Sequence, residues 1–360
     1  MHDGMHDRQN AAPRAATIRD VAARAGVSPA TVSRVLTGNR PVSPTVQVRV
    51  QRAIRDLDYV VNAQARALSA PHSRTVAILL PTLSWQFHNR VAGGIEEQAI
   101  NENRLCIVCS TRNDPDREMA LLETLRQHNT EAVVLIGGTF VTPHYAERIS
   151  RFARVLDASG SRLVLCGRPA PAPDLPITVV DYDNEGGAHA AVSHLLSLGH
   201  RRIALLGGPR DHTTTNLRIA GYRRAHEDYG VTPDPGLLHI GRADRPFGYE
   251  TVRAHLAAGP LPYTAAFCFD DYLAAGAMAA AREAGLSIPD DLSLIGYNDE
   301  SICADLYPPL NSVHVPFDEL GRTAVRMALH RDDPLYADQS VMLGTHLVMR
   351  QSARSITARP

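Results

Sequence analysis

The chain has 360 residues, 44% of them hydrophobic. That suffices for a small domain beside a large two-lobed one, and no run approaches the ~20 apolar residues that span a bilayer. The opening MHDGMHDRQNAAPRAA lacks the apolar core of a secretory signal, and the five cysteines form no metal framework. A cytoplasmic protein with reduced thiols, no cofactor and no membrane partner is therefore expected. Net charge is −1, yet residues 17–68 hold eight arginines against three acids, which leaves the remainder six units acidic. A basic head on an acidic body is the footprint of a phosphate-binding module.

After an extension at 1–16, expected to be disordered, three short helices are predicted in residues 17–61. Thr17 precedes Asp20 by three residues, a capping-box spacing, and Ile18, Val21, Ala22 and Ala25 form one apolar face. Gly26 should stop this helix, because glycine tolerates a left-handed backbone. Ser28-Pro29 starts the second helix with a serine cap and a first-turn proline, and its inward face is Val32, Val35 and Leu36. Ser43-Pro44 repeats the device for a third helix that buries Val46, Val50, Ala53, Ile54 and Leu57. Helix, glycine-containing turn, helix is a helix-turn-helix, whose second helix enters the major groove. Pro29, Ala30, Thr31, Ser33 and Arg34 would face the bases there, with Arg34 able to fork onto a guanine edge. Ser28, Thr31, Ser33 and Arg19 are better placed for phosphates. A plain surface hairpin with solvated arginines is the alternative.

The run from Asp20 to Leu36, DVAARAGVSPATVSRVL, closely resembles the head signature of the lactose-repressor (LacI/GalR) family, and the resemblance extends over nearly the whole chain. It implies that Asn62–Leu68, within a 62–73 linker, is a hinge helix that folds on operator DNA. Asn62, Ala65 and Leu68 fall at the matching positions, and Leu68 would wedge into the minor groove. Seven residues cannot hold a helix alone, so ordering on DNA is physically coherent.

From Arg74 onward, β-rich runs at 75–80, 105–110, 132–137, 163–166, 177–180, 203–206, 265–269 and 292–297 alternate with amphipathic helical segments. This predicts parallel sheets covered on both faces. The expected fold is a small all-α head plus an α/β two-lobed effector domain over 74–349, resembling periplasmic binding proteins. The proline-rich RPAPAPDLP, 168–176, is the expected crossover between lobes. Ligands of such sheets sit beyond the carboxyl ends of the strands, so the cleft should be lined by Thr82–His88, Gly207–Arg218, Asp270-Asp271 and Asn298-Asp299.

The resemblance implies effector contacts at Phe87, His88, Thr214, Arg218, Asp270 and Asn298. An arginine fork with carboxylate and amide partners suits the hydroxyls or a carboxylate of a sugar-like molecule. Asp271 and Asp299 are read as helix caps. Asn298 stands where the family usually has aspartate, and Ala243 where several members carry a stacking aromatic, so the effector's identity stays open.

Cys106-x-x-Cys109 lies within a predicted strand, no H-E-x-x-H is present, and neither a P-loop nor a G-x-S-x-G elbow occurs. An enzyme is not expected. A solute-binding protein would have a similar body but would be exported; a sugar-metabolising enzyme would need an acid–base pair in the cleft. The tail, 350–360, has no leucine heptads, so a homodimer on a pseudo-palindromic operator is expected, with repression relieved by effector as the default mechanism.

Overall fold

The structure is a computed structural model that describes residues 16–37, 41–59, 73–331, 333–336 and 340–356. Residues 1–15 of the extension expected at 1–16, and the hinge positions Asn62, Ala65 and Leu68, lie outside the described residues. The chain divides into two units, residues 1–71 and 72–360.

In the first unit, α1 (Ile18–Ala25) opens on the expected capping box: the Thr17 hydroxyl accepts from the Asp20 amide while the Asp20 carboxylate accepts from the Thr17 amide at 2.8 Å. Gly26 ends the helix at φ 63°, in the left-handed region that glycine enters without a Cβ clash. In α2 (Pro29–Thr37) the Ser28 hydroxyl accepts from the Thr31 amide at 3.2 Å. For α3 (Pro44–Asp56) the proline supplies the first turn, but the Ser43 hydroxyl makes no cap bond, unlike the repeat of the device expected there. Val21, Val32 and Val50 are fully buried where the three helices meet, with Ala22, Ala25 and Ala53 filling the close approaches. An Arg24–Asp56 ion pair at 3.0 Å ties α1 to α3.

The second unit runs β1 (Ser73–Leu80), α4 (Gln86–Asn101), β2 (Leu105–Ser110), α5 (Pro115–Gln127), β3 (Thr130–Ile136), α6 (Pro143–Ala158), β4 (Arg162–Cys166) and β5 (Ile177–Tyr182). It continues with α7 (Asn184–Ser197), β6 (Ile203–Leu206), α8 (Thr213–Asp228), β7 (Leu238–His239), α9 (Arg245–Ala258), β8 (Ala265–Cys268), α10 (Asp271–Glu283) and β9 (Ser293–Asn298). It closes with α11 (Ile302–Asp305), β10 (Asn311–His314), α12 (Phe317–Leu329), β11 (Ser340–Leu343) and β12 (His346–Val348).

Two six-stranded sheets result, ordered β11-β5-β4-β3-β1-β2 and β12-β10-β9-β8-β6-β7. Every pairing is parallel except β10 with β12. The near-continuous apolar runs follow from this: Val76–Leu80 and Ala132–Ile136 are at most 1% exposed, because helices cover both faces.

The crossover expected at 168–176 is not there. That segment joins β4 to β5, neighbours in one sheet. The chain first changes lobe after β5, returns after β10 so that α12 packs against α4, β3, β4 and β5, and changes again between β11 and β12. Proline marks a turn between adjacent parallel strands as readily as a domain boundary. At the α4–α12 crossing the backbones nearly touch: a Cβ on Gly94 would lie 2.2 Å from the Asp318 carbonyl oxygen, and one on Gly321 would lie 2.3 Å from that of Val91.

Candidate functional site

A cavity of about 340 Å³ lies between the two sheets. Its walls are the loops at the carboxyl ends of β1, β2, β3, β6, β7, β8 and β9, so strand polarity alone brings them together. Phe87, His88, Thr214, Arg218, Asp270 and Asn298 all line it.

Arg218, on the second turn of α8, is 3% exposed. Its Nε donates to Asn184 Oδ1 at 3.0 Å, one terminal nitrogen donates to the Phe269 carbonyl, and the other reaches the Tyr182 hydroxyl at 3.5 Å. The guanidinium carbon sits 3.5 Å from the centroid of Tyr297 and 4.5 Å from that of Phe269. A buried cation is tolerated here because aromatic faces and oxygen acceptors replace water. Asp270 caps α10 by accepting from the Leu273 amide at 2.7 Å, and burial pushes its carboxyl up to about 6 against the opposing pull of Arg218. His88 bonds the Thr82 carbonyl through Nδ1 at 3.1 Å, and burial, with Arg168 and His212 nearby, lowers it to about 4, so the ring is neutral. Trp85 stacks on it at 5.5 Å. Asn298 holds φ 104° at the end of β9.

The lobes also touch beside the cavity. Residues 139–141 and 211–213 form a short antiparallel bridge: the Val141 amide donates to the Asp211 carbonyl at 2.8 Å and the Thr213 amide to that of Thr139 at 2.9 Å. Phe140 meets His212 edge-on at 5.4 Å, and Gln86 on α4 donates to the Tyr272 hydroxyl on α10. Such a cleft binds small molecules by enclosure; among the described residues, no cluster of metal-ligating side chains is present and no helix is long and apolar enough to cross a membrane.

In the first unit, Arg19, Ser28, Pro29, Ala30 and Arg34 are exposed, while Thr31 and Ser33 are half-buried. Ser28 and Thr31 also share a hydroxyl–hydroxyl bond of 2.9 Å.

Residues 17–62 match the bacterial regulatory proteins of the lacI family, and residues 192–353 match the periplasmic binding protein-like domain. Over 339 residues, 94% of this chain and all of the relative, identity with the ribose operon repressor of Escherichia coli (strain K12) is 31%. The chain belongs to the lacI family. A second relative, the HTH-type transcriptional repressor PurR of Haemophilus influenzae (strain PittEE), is 30% identical over 95% of this chain and 99% of its own. Among solved structures, the lac repressor dimer bound to operator and the anti-inducer ONPF matches with a TM-score of 0.81 at 25% identity, over 95% of this chain and 100% of that one. The transcriptional regulator CelR–cellobiose complex matches at 0.68 and 28% identity, over 94% and 100%. As a lacI-family member the protein is a DNA-binding transcriptional regulator and not an enzyme.

Within this lacI-family frame two site readings need correction. Asp271 is no cap. Fully buried, it accepts from the Ser312 hydroxyl at 2.6 Å and the Glu300 amide at 2.8 Å, which ties α10 to β10, and burial pushes it up to about 8. Asp299 instead joins Arg350 at 2.7 Å and His314 at 3.0 Å. The Cys106 and Cys109 side chains pack towards different core clusters, so the pair cannot grip one ion. Sequence reasoning missed Phe140, Tyr182 and Phe269 of the aromatic wall; Trp85 and His212 fall within expected cleft segments, though neither was singled out. The rule that placed the loop after β1 would have found Phe140 had it been applied after β3.

Proposed function

We propose that the protein is a homodimeric repressor that binds a pseudo-palindromic operator and is released by a small, sugar-like effector held between the lobes. The observation that carries this reading is one chain joining a helix-turn-helix head to an interlobe cleft of about 340 Å³ around a buried arginine. In this reading Pro29, Ala30, Thr31, Ser33 and Arg34 meet the major groove, Arg19 and Ser28 meet phosphates, and Asn62, Ala65 and Leu68 form the hinge contacts. Arg218 and Asp270 supply a donor and an acceptor for hydroxyls, Asn298 and Thr214 add polar contacts, and Phe87 and His88 pack on the apolar face of a ring. The ligand-bound relatives support the effector class: CelR is a cellobiose complex, and an Enterococcus faecium LacI-family regulator holds ribose. Only a ligand with unequal affinity for the two lobe arrangements shifts DNA binding.

The test is selection of the purified protein against random duplexes, followed by titration of the recovered site with sugars. A palindrome whose binding weakens as one sugar saturates supports the reading. No enriched site, with or without sugars, refutes it.

A further inference from the structure

Beside the main cavity lies a smaller chamber of about 40 Å³, room for about three waters at roughly 10–15 Å³ each. The two share Pro81, Asn113, Gly138, Phe140 and His212 in their linings. The chamber is polar and built. At its base Arg168, 3% exposed, donates to the carbonyls of Gly137 and Ile136 and to the Tyr145 hydroxyl, and stands 3.7 Å from the Glu118 carboxylate. Two buried atoms of its lining residues have no hydrogen-bond partner among the described residues: Glu118 Oε1, on a side chain 8% exposed, and His212 Nδ1. Burial lowers His212 to about 4, so the ring is neutral, and it also meets the Gly138 backbone. With the ring proton on Nε2, Nδ1 presents a lone pair. Both orphans are acceptors, and a buried acceptor left unpaired is costly.

We infer that this chamber is a subsite of the effector site, filled by an uncharged, hydroxylated end of the effector, or by water when the site is empty. The inference rests on the effector reading given above. Hydroxyls donate to Glu118 and His212, whereas a carboxylate or phosphate brings no donor for either, and Arg168 already spends its N–H groups on Gly137, Tyr145 and Ile136. The chamber thus selects a neutral sugar over its acid or phosphate.

Two measurements test this. A high-resolution crystal structure of the unliganded full chain should place ordered water within hydrogen-bonding distance of both orphan atoms; a dry or collapsed chamber overturns the inference. Calorimetric titration with ribose, glucose and cellobiose, each against its acid and its phosphate, should favour a neutral member at least tenfold. Glu118→Gln should then weaken that member about tenfold and narrow its lead, and His212→Leu should do the same if Glu118→Gln fails to fold. An acid or phosphate that binds best, or a neutral ligand indifferent to both substitutions, overturns the subsite while leaving the main cavity's role intact. Silence from every probe counts against the effector reading and the subsite together.

Discussion

Arg218→Lys tests whether the buried guanidinium organises the cleft. Arg218 satisfies Asn184 Oδ1, on a residue 2% exposed, and the Phe269 carbonyl while lying between two rings. Lysine keeps the charge but offers a point donor that reaches one acceptor, and it loses the planar stacking. One buried acceptor left unpaired costs about 1–3 kcal/mol. Arg218→Met leaves both acceptors unpaired, but it also removes a buried charge and its desolvation penalty. Both variants should therefore unfold at a lower urea midpoint, and the lysine variant by an amount within that 1–3 kcal/mol window. Effector binding should fall at least tenfold in each, since even lysine cannot recreate the fork. Urea unfolding followed by circular dichroism, with calorimetric titration of the effector, reads both quantities. If Arg218→Lys unfolds at the parent's midpoint and binds with the parent's affinity, Arg218 is a bystander and the assignment of the cleft collapses.

Gly94→Ala should cost at least about 1–3 kcal/mol by forcing α4 from α12, as its Cβ would sit 2.2 Å from a backbone oxygen. Gly94→Ala with Gly321→Ala should cost less than the sum, because one separation relieves both clashes. Stability should also fall as pH rises from 6.5 to 8. Asp271 and Glu300, raised by burial to about 8 and about 7, hold protons in the folded state that the unfolded chain has released. Below pH 6.5 the buried His88, His212 and His239, each lowered to about 4, oppose that trend, because the unfolded chain binds their protons first. Urea midpoints across pH 5–8 check this, and Asp271→Asn should flatten the upper limb; an unchanged slope contradicts the assignment. Arg34→Ala should relax preference at one base pair by about 1–3 kcal/mol while leaving the others intact, as read by repeating the duplex selection. A uniform loss across all positions would mean that Arg34 meets phosphate.

What the sequence discloses is local. Thr17, Asp20 and Gly26 specify the ends of α1 through bonds to residues three or four away, so they are legible without the fold. The buried strands announce themselves by composition, and the six expected cleft residues meet because parallel strands point their carboxyl ends the same way. Sheet membership has no such local mark: β4 and β5 are partners despite nine residues of proline-rich chain between them. Likewise Asp270 and Asp271 differ only in which one meets the start of α10 and which one turns towards Ser312. The paired acceptors Glu118 and His212 come from different lobes, ninety-four positions apart, and only the folded chain brings them to one chamber.

The three passages between lobes set the terms on which this protein could be re-engineered or could have diversified. Neither lobe is a contiguous stretch of chain, so neither can be excised, swapped or expressed alone without cutting the other. The helix-turn-helix unit is joined to the body by a single covalent segment. A chimera that exchanges it there keeps an unbroken cleft, whereas a chimera cut at the proline-rich turn splits one sheet between β4 and β5. On the proposed function, operator choice can thus be inherited separately from ligand choice, while the two halves of the cleft must travel together.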